Sequence, residues 1–256
     1  MSVLDQFRLN DRVAIVTGGS KGLGKSMAQA LAEAGASGVL VSRHREECHA
    51  ALDFLFKISG CDGLAIGADV TKESDVKRVF AATMKKFGRV DVLINNAGNN
   101  FRCVIEDFPL EQFRSVVDTS LTAAWLCCRA VAPIFKKQKS GSCINIGSVM
   151  SAVGLADRSA YCAAKSAMVG LTRVMALEWA PFRARCNALC PGPFATEINA
   201  PLMKDPAKTK WLLDHTAMKR WGDLSEIRGA ALFLASDAST YVTGSSLYVD
   251  GGWTAQ

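Results

Sequence analysis

Seven short apolar runs punctuate the chain, and longer segments with helical periodicity lie between most of them. The runs span Val13–Val16, Gly38–Val41, Gly63–Ile66, Val92–Asn95, Cys143–Ile146, Cys186–Leu189 and Ser246–Val249. They are rich in Val, Ile and Leu and nearly continuous rather than alternating, as strands buried on both faces are. Between them, Gly24–Ala34, Ser74–Phe87, Leu110–Lys137, Tyr161–Trp179 and Ser225–Ala235 repeat apolar residues at helical spacing. Strands alternating with helices predict an α/β, doubly wound, Rossmann-type fold: a mostly parallel seven-stranded sheet with helices on both faces. No Pro/Ser-rich linker divides the chain, so a single domain over residues 1–256 is expected. The rhythm fails from Gly192 to Gly222, which holds Pro193, Pro201 and Pro206 and neither a strand nor one clean helix. A long irregular segment within a compact domain reads as a functional loop, so a substrate lid is expected at about 193–222.

Composition narrows the partners. The +6 charge is modest and its lysines are scattered, without aromatic interleaving, so no nucleic-acid partner is expected. The longest apolar stretch, Ala123–Phe135, is broken by Arg129 and too short to cross a bilayer; no membrane association is expected. The first residues lack the basic-then-apolar layout of a secretion signal, and a cytoplasmic setting is the expectation. Nine cysteines without a Cys-x-x-Cys pair, beside only three histidines, point to reduced thiols and no metal site.

Candidate chemistry gathers at the strand ends, where such sheets bind ligands. Thr17-Gly18-Gly19-Ser20-Lys21-Gly22-Leu23-Gly24 follows the first strand and opens a helix. Gly18 permits a tight turn, Gly22 a close approach of the backbone to a pyrophosphate, and Gly24 the packing of helix on strand. The helix amino terminus attracts the phosphates. The second strand ends Val41-Ser42-Arg43, without the acidic residue that would hydrogen-bond an NAD ribose. Arg43 and Lys21 instead flank that place, with Ser20 and Ser42 as hydroxyl donors. A 2′-phosphate, and therefore NADP(H) over NAD(H), is expected. Glu46 and Glu47 follow closely and are assigned to the next helix.

Tyr161 and Lys165 stand four apart on one helix face. An ordinary tyrosine, with a pKa of ~10, is a poor proton donor at neutral pH. A neighbouring ammonium favours the phenolate. Ser148, just past the fifth strand, offers a hydroxyl to hold a substrate oxygen.

With these motifs in place the chain resembles the short-chain dehydrogenase/reductase family along essentially its whole length. The resemblance rests on the glycine loop, Ala68-Asp69-Val70, Asn95-Asn96-Ala97-Gly98, Ser148, Tyr161-x-x-x-Lys165, Pro191-Gly192 and Tyr248-Val-Asp-Gly-Gly252. It implies an oxidoreductase that interconverts a carbonyl and a secondary alcohol. Tyr161 would be the general acid/base, Ser148 would hold the carbonyl oxygen, and Lys165 would bind the nicotinamide ribose and lower the tyrosine pKa. Asp69 and Val70 would sit at the adenine, Asn95, Ala97 and Gly98 at the middle of the cofactor, and Pro191, Gly192 and Thr196 at the nicotinamide. Family members are commonly tetramers; a homotetramer or dimer is expected. One position departs from the family pattern. Ser120 stands where an asparagine usually holds a water that relays protons towards the lysine, which implies an altered relay.

Within the family the likeness is to sugar-acid and polyol enzymes typified by gluconate 5-dehydrogenase, with 3-oxoacyl-[acyl-carrier-protein] reductases as the alternative. A dinucleotide-binding sensor with weak catalysis is a third reading, which Tyr161-x-x-x-Lys165 counts against. Arg102 and Arg158 are candidates to grip a substrate carboxylate. Trp211, in the lid, is a candidate to shape the pocket.

Overall fold

A computed structural model describes residues 2–255. The seven strands are β1 (Val13–Thr17), β2 (Ser37–Ser42), β3 (Gly63–Gly67), β4 (Val92–Asn95), β5 (Gly141–Ile146), β6 (Ala184–Pro191) and β7 (Ser246–Val249). They form one sheet in the order β3-β2-β1-β4-β5-β6-β7, and every neighbouring pair is parallel. β1 pairs with β2 on one side (Thr17 opposite Val41) and with β4 on the other (Val16 opposite Ile94). The winding direction reverses between β1 and β4, which opens a crevice at their carboxyl ends.

Alternate residues of each strand feed two cores. Ala14 and Val16 pack with Met27 and Leu31 of α1 (Gly22–Glu33), Ala51 and Leu55 of α2 (Arg45–Ser59), and a carboxyl-terminal helix, Arg228–Ala235. Val13 and Ile15 pack on the other face with Val76 and Phe80 of α3 (Glu73–Phe87) and with the two long helices that follow. There Phe135 meets buried Trp179 edge to face, 5.7 Å apart.

The expected helix Leu110–Lys137 is not one α-helix. It runs as α4 (Leu110–Val117), a π turn over Asp118–Thr122, and α5 (Ala123–Gln138). In the π turn the Ala123 amide reaches back five residues to the Asp118 carbonyl. Such insertions are rare and concentrate at functional sites; this one carries Ser120. After β5 comes α6 (Ser159–Trp179), close to the expected span.

The segment 193–222 is also more regular than expected. It holds α7 (Ala200–Met203) and α8 (Pro206–Asp214), the latter capped by the Asp205 carboxylate accepting from the Ala207 and Lys208 amides. Its ends are tied together: the Gly222 amide donates to the Pro193 carbonyl and the Ala195 amide to the Gly222 carbonyl. The last helix, α9 (Arg228–Ala235), leads back to β7.

Among the described residues no helix is long and apolar enough to cross a membrane, and no three His, Cys, Asp or Glu side chains gather as a metal site. All nine cysteines are free.

Candidate active site

One cleft of about 810 Å³ opens at the carboxyl ends of the strands. Its first wall is the glycine loop. Gly18 and Gly22 take left-handed backbone angles (φ +62° and +51°), which side-chain-bearing residues rarely adopt. A Cβ on Gly24 would sit 2.2 Å from the Gly18 carbonyl oxygen, so α1 can lie this close to the turn only with glycine there. A Cβ on Gly22 would meet nothing nearer than the Thr196 methyl at 3.9 Å, leaving an open cradle between the glycine loop and the segment after β6. No side chain caps the start of α1, so its first amides are free to face an anion. These features fit a dinucleotide diphosphate.

Each residue expected in the glycine loop (Gly18, Ser20, Lys21, Gly22, Leu23, Gly24) lines the cleft, as do Ser42 and Arg43 at the end of β2. Asp69 and Val70 line it from the end of β3, where the Asp69 carboxylate accepts from the Thr71 amide and hydroxyl. Ala97 and Gly98 line it from the loop after β4. Asn95 does not. Its side chain turns inward, donating to Asn145 Oδ1 at 2.9 Å beside Cys128 and Cys143, because the last residue of a parallel strand still alternates into the core. The neighbour Asn96 lines the cleft instead and ties loop to loop, donating to the Thr17 and Gly18 carbonyls.

Across the cleft, β5 delivers Ser148 into a 3₁₀ turn, Val149–Ser151. The Ser148 hydroxyl accepts from the Met150 amide, and the Ser151 hydroxyl accepts from the Ser148 amide. Ser151 Oγ also donates to the Lys165 carbonyl at 2.7 Å, fastening this turn to α6. On α6, Tyr161 and Lys165 share the face towards the cleft. Burial pushes the Tyr161 phenol up from its ordinary value, while a hydrogen bond with Ser148 and the charge of Arg158 draw it down. Burial pushes the Lys165 ammonium down to about 8. Pro191, Gly192 and Thr196 complete this end.

Ser120 lies behind that group, outside the cleft wall. Its hydroxyl is buried and has no hydrogen-bond partner. Ser120 Oγ and Lys165 Nζ both come within 4 Å of the point where a Gly98 side chain would begin.

Arg102 and Arg158 both line the cleft beside Tyr161. The Cys103 amide donates to the Asp157 carbonyl, joining the two arginine-bearing loops, and Asp157 adopts a left-handed φ of +61° just before Arg158. Arg158 is only 9% exposed, and burial together with the charge of Arg102 lowers its pKa to about 10. Burial lowers that of Arg102 as well, and its Nε is buried without a partner. Neither arginine forms a salt bridge with a carboxylate of the described residues. Arg158 donates only a long bond, 3.4 Å, to the Asp157 carbonyl, and two neighbouring, partly desolvated guanidinium groups without a counter-carboxylate are costly unless an anion joins them.

Trp211 does not line the cleft; its ring packs on His215 (4.1 Å) and meets Trp253 edge to face (6.0 Å). The segment 193–222 reaches the cleft through its first residues, Pro193 to Asn199 in part, and through Leu202 and Leu212; Trp253 joins them from the carboxyl-terminal end. Sequence reasoning missed Trp253, Asn96, Asn99 and Asn100. It also missed the reach of Glu47, which belongs to α2 as expected but lines the cleft.

The whole chain is similar to known proteins. Residues 18–254 match the family model described as enoyl-(acyl carrier protein) reductase. Gluconate 5-dehydrogenase of Gluconobacter oxydans is 37% identical, over 99% of each chain. A 3-oxoacyl-[acyl-carrier-protein] reductase of Synechocystis is 36% identical, over 95% of this chain and 97% of that one. The crystal structure of a gluconate 5-dehydrogenase from Burkholderia cenocepacia, in complex with NADP and tartrate, superposes with a TM-score of 0.94 at 36% identity, covering all of both chains.

Proposed function

The chain belongs to the short-chain dehydrogenase/reductase family, and on that premise we propose that it is an NADP(H)-dependent oxidoreductase of hydroxy- or keto-carboxylates, of the keto sugar-acid kind. The observation that carries the substrate class is the unpaired pair Arg102 and Arg158 beside Tyr161. A carboxylate relieves their mutual repulsion and their burial together, and a planar guanidinium fork suits it. The Oδ1 atoms of Asn99 and Asn100, buried without donors in the same wall, suit the hydroxyls of such a substrate. The relative crystallised with tartrate, itself a hydroxy-carboxylate, supports the same class.

The chain's own groups divide the work. Ser148 Oγ donates to the substrate oxygen and orients it beside the Tyr161 hydroxyl. Tyr161 gives that oxygen its proton in reduction and takes it back in oxidation. Lys165 favours the phenolate left behind and offers donors to a ribose. Its ammonium also faces the Ser120 region, so protons reach Tyr161 from that side, through a pocket shaped by serine rather than asparagine. Gly18, Gly22, Gly24 and the start of α1 seat the diphosphate; Lys21, Arg43, Ser20 and Ser42 favour a 2′-phosphate. Bound there, the dinucleotide supplies or accepts the hydride.

The lid 193–222 closes this chamber within one catalytic domain. Exposed Val174 and Leu177 on α6 and Trp125 on α5 support assembly into a homotetramer or dimer, and free thiols suit a cytoplasmic setting.

The test is turnover with NADPH on a carbonyl panel: keto-gluconates, their neutral keto-polyol counterparts, acetoacetyl thioesters and aromatic ketones. Keto-gluconates are expected to lead by kcat/KM. If acetoacetyl thioesters lead, the acyl-carrier-protein reading takes its place.

A further inference from the structure

The cation clamp beside the glycine loop already holds an anion. Lys21 Nζ lies 2.8 Å from Glu47 Oε1, and Ser20 Oγ donates to Glu47 Oε2 at 3.3 Å. The two oxygens of one carboxylate thus engage two of the groups expected to receive a 2′-phosphate. Arg43, on the same wall, is exposed and forms no ion pair with the described residues. Glu47 is held in place by its neighbours. Cys48, in the first turn of α2, is fully buried, and Ser42 Oγ accepts from the His44 amide and the Cys48 thiol, fixing the start of that helix against the strand end.

The pair is exchangeable. Both side chains remain partly exposed, and such ion pairs hold weakly. A phosphate monoester carries up to twice the charge of a carboxylate and a third oxygen, and so competes for Lys21 and Ser20. The displaced carboxylate stays tethered on α2, within reach of the incoming phosphate, and repels it. A ribose hydroxyl meets no such repulsion and finds an acceptor.

We propose that Glu47 tunes cofactor discrimination: its carboxylate occupies the 2′-phosphate clamp as an internal competitor, yields to NADP(H) at a cost, and accepts from the 2′-hydroxyl of NAD(H). The inference rests on the NADP(H) reading of this clamp. Its consequence is a chain that discriminates between the two cofactors less sharply than Lys21 and Arg43 alone would dictate.

Calorimetric titration decides it without turnover. Wild type, Glu47→Gln and Glu47→Ala are titrated with adenosine 2′,5′-bisphosphate, 5′-AMP, NADPH and NADH. The affinity ratio of phosphorylated to unphosphorylated ligand is expected to rise about five- to tenfold in both variants. A ratio within about twofold of wild type in both, or a fall in it, overturns the proposal. Wild type binding 5′-AMP and NADH more tightly than their phosphorylated counterparts sinks the NADP(H) reading instead, and the shift in the variants still decides the role of Glu47.

Discussion

Lys165 Nζ donates to the Ile146 carbonyl oxygen at 2.6 Å, while the ring of Tyr161, one turn earlier on α6, is centred 5.6 Å from that nitrogen. The lysine is therefore pinned to the end of β5 and presents its charge beneath the tyrosine, so strand and helix together set the spacing of the two groups.

That arrangement opposes folding. Burial lowers the Lys165 pKa to about 8, whereas the unfolded chain keeps an ordinary lysine value of ~10.4. Between these values the unfolded state binds more protons, so stability rises with pH there; the penalty is full below about 8 and gone above the unfolded value. Lys165→Met is expected to be more stable than wild type at pH 7 by up to ~3 kcal/mol. The difference closes as the pH approaches that of an ordinary lysine. Urea midpoints measured across that range check it, and a variant weaker than wild type at pH 7 would contradict it.

Tyr161→Phe removes the proposed proton donor and leaves the glycine cradle untouched. Turnover is expected to fall about 10²- to 10⁴-fold with NADPH affinity nearly unchanged. Because burial raises the Tyr161 pKa, the free protein keeps the phenol protonated through neutral pH. Carbonyl reduction is expected to be flat with pH there, and alcohol oxidation to rise towards alkaline pH. Rate profiles in both directions give the answer.

Arg102→Leu and Arg158→Leu each remove one arm of the proposed carboxylate site. KM for a keto acid is expected to rise about 10- to 100-fold, the equivalent of losing one charged hydrogen bond. The neutral keto-polyol should be handled as well as before or better. Equal losses on both substrates would mean that the arginines only shape the wall.

Ser120→Asn places a longer donor and acceptor where the hydroxyl has no partner. Turnover is expected to match or exceed that of wild type if serine is the weaker relay; a sharp drop in kcat would show that this chain depends on the smaller side chain. Ser120→Ala removes a buried, unpaired hydroxyl and is expected to leave the urea midpoint unchanged or slightly raised.

The parts of the architecture most legible in the sequence were those where one signal acted alone. Short apolar runs such as Val13–Val16, bounded by turn residues and alternating with helical segments, read as buried strands, and Gly18 and Gly24 of the first loop sit where a side chain would clash. Competing signals hid the rest. The π turn at Asp118–Thr122 inserts a single residue into an otherwise helical pattern, too small a slip for periodicity to register. Asn95 and Asn96 are chemically identical neighbours, and only the alternation of β4 decides which one enters the core. Trp211 and Trp253 are 42 positions apart, and their contact depends on how α8 docks near the chain end. Glu47 was placed on the right helix, but side-chain direction at a first turn is a tertiary property.

The buried polar atoms left unpaired among the described residues are Asn95 Oδ1, Asn99 Oδ1, Asn100 Oδ1, Arg102 Nε and Ser120 Oγ. All but the first border the cleft or the space behind its lysine. This is where the fold is least optimised for its own sake. Selection for heat resistance alone would reach these positions early, trading amide, guanidinium and hydroxyl for hydrocarbon, and would yield a sturdier molecule with a cleft stripped of polar grips. The stability forgone here is spent on a surface that can bind.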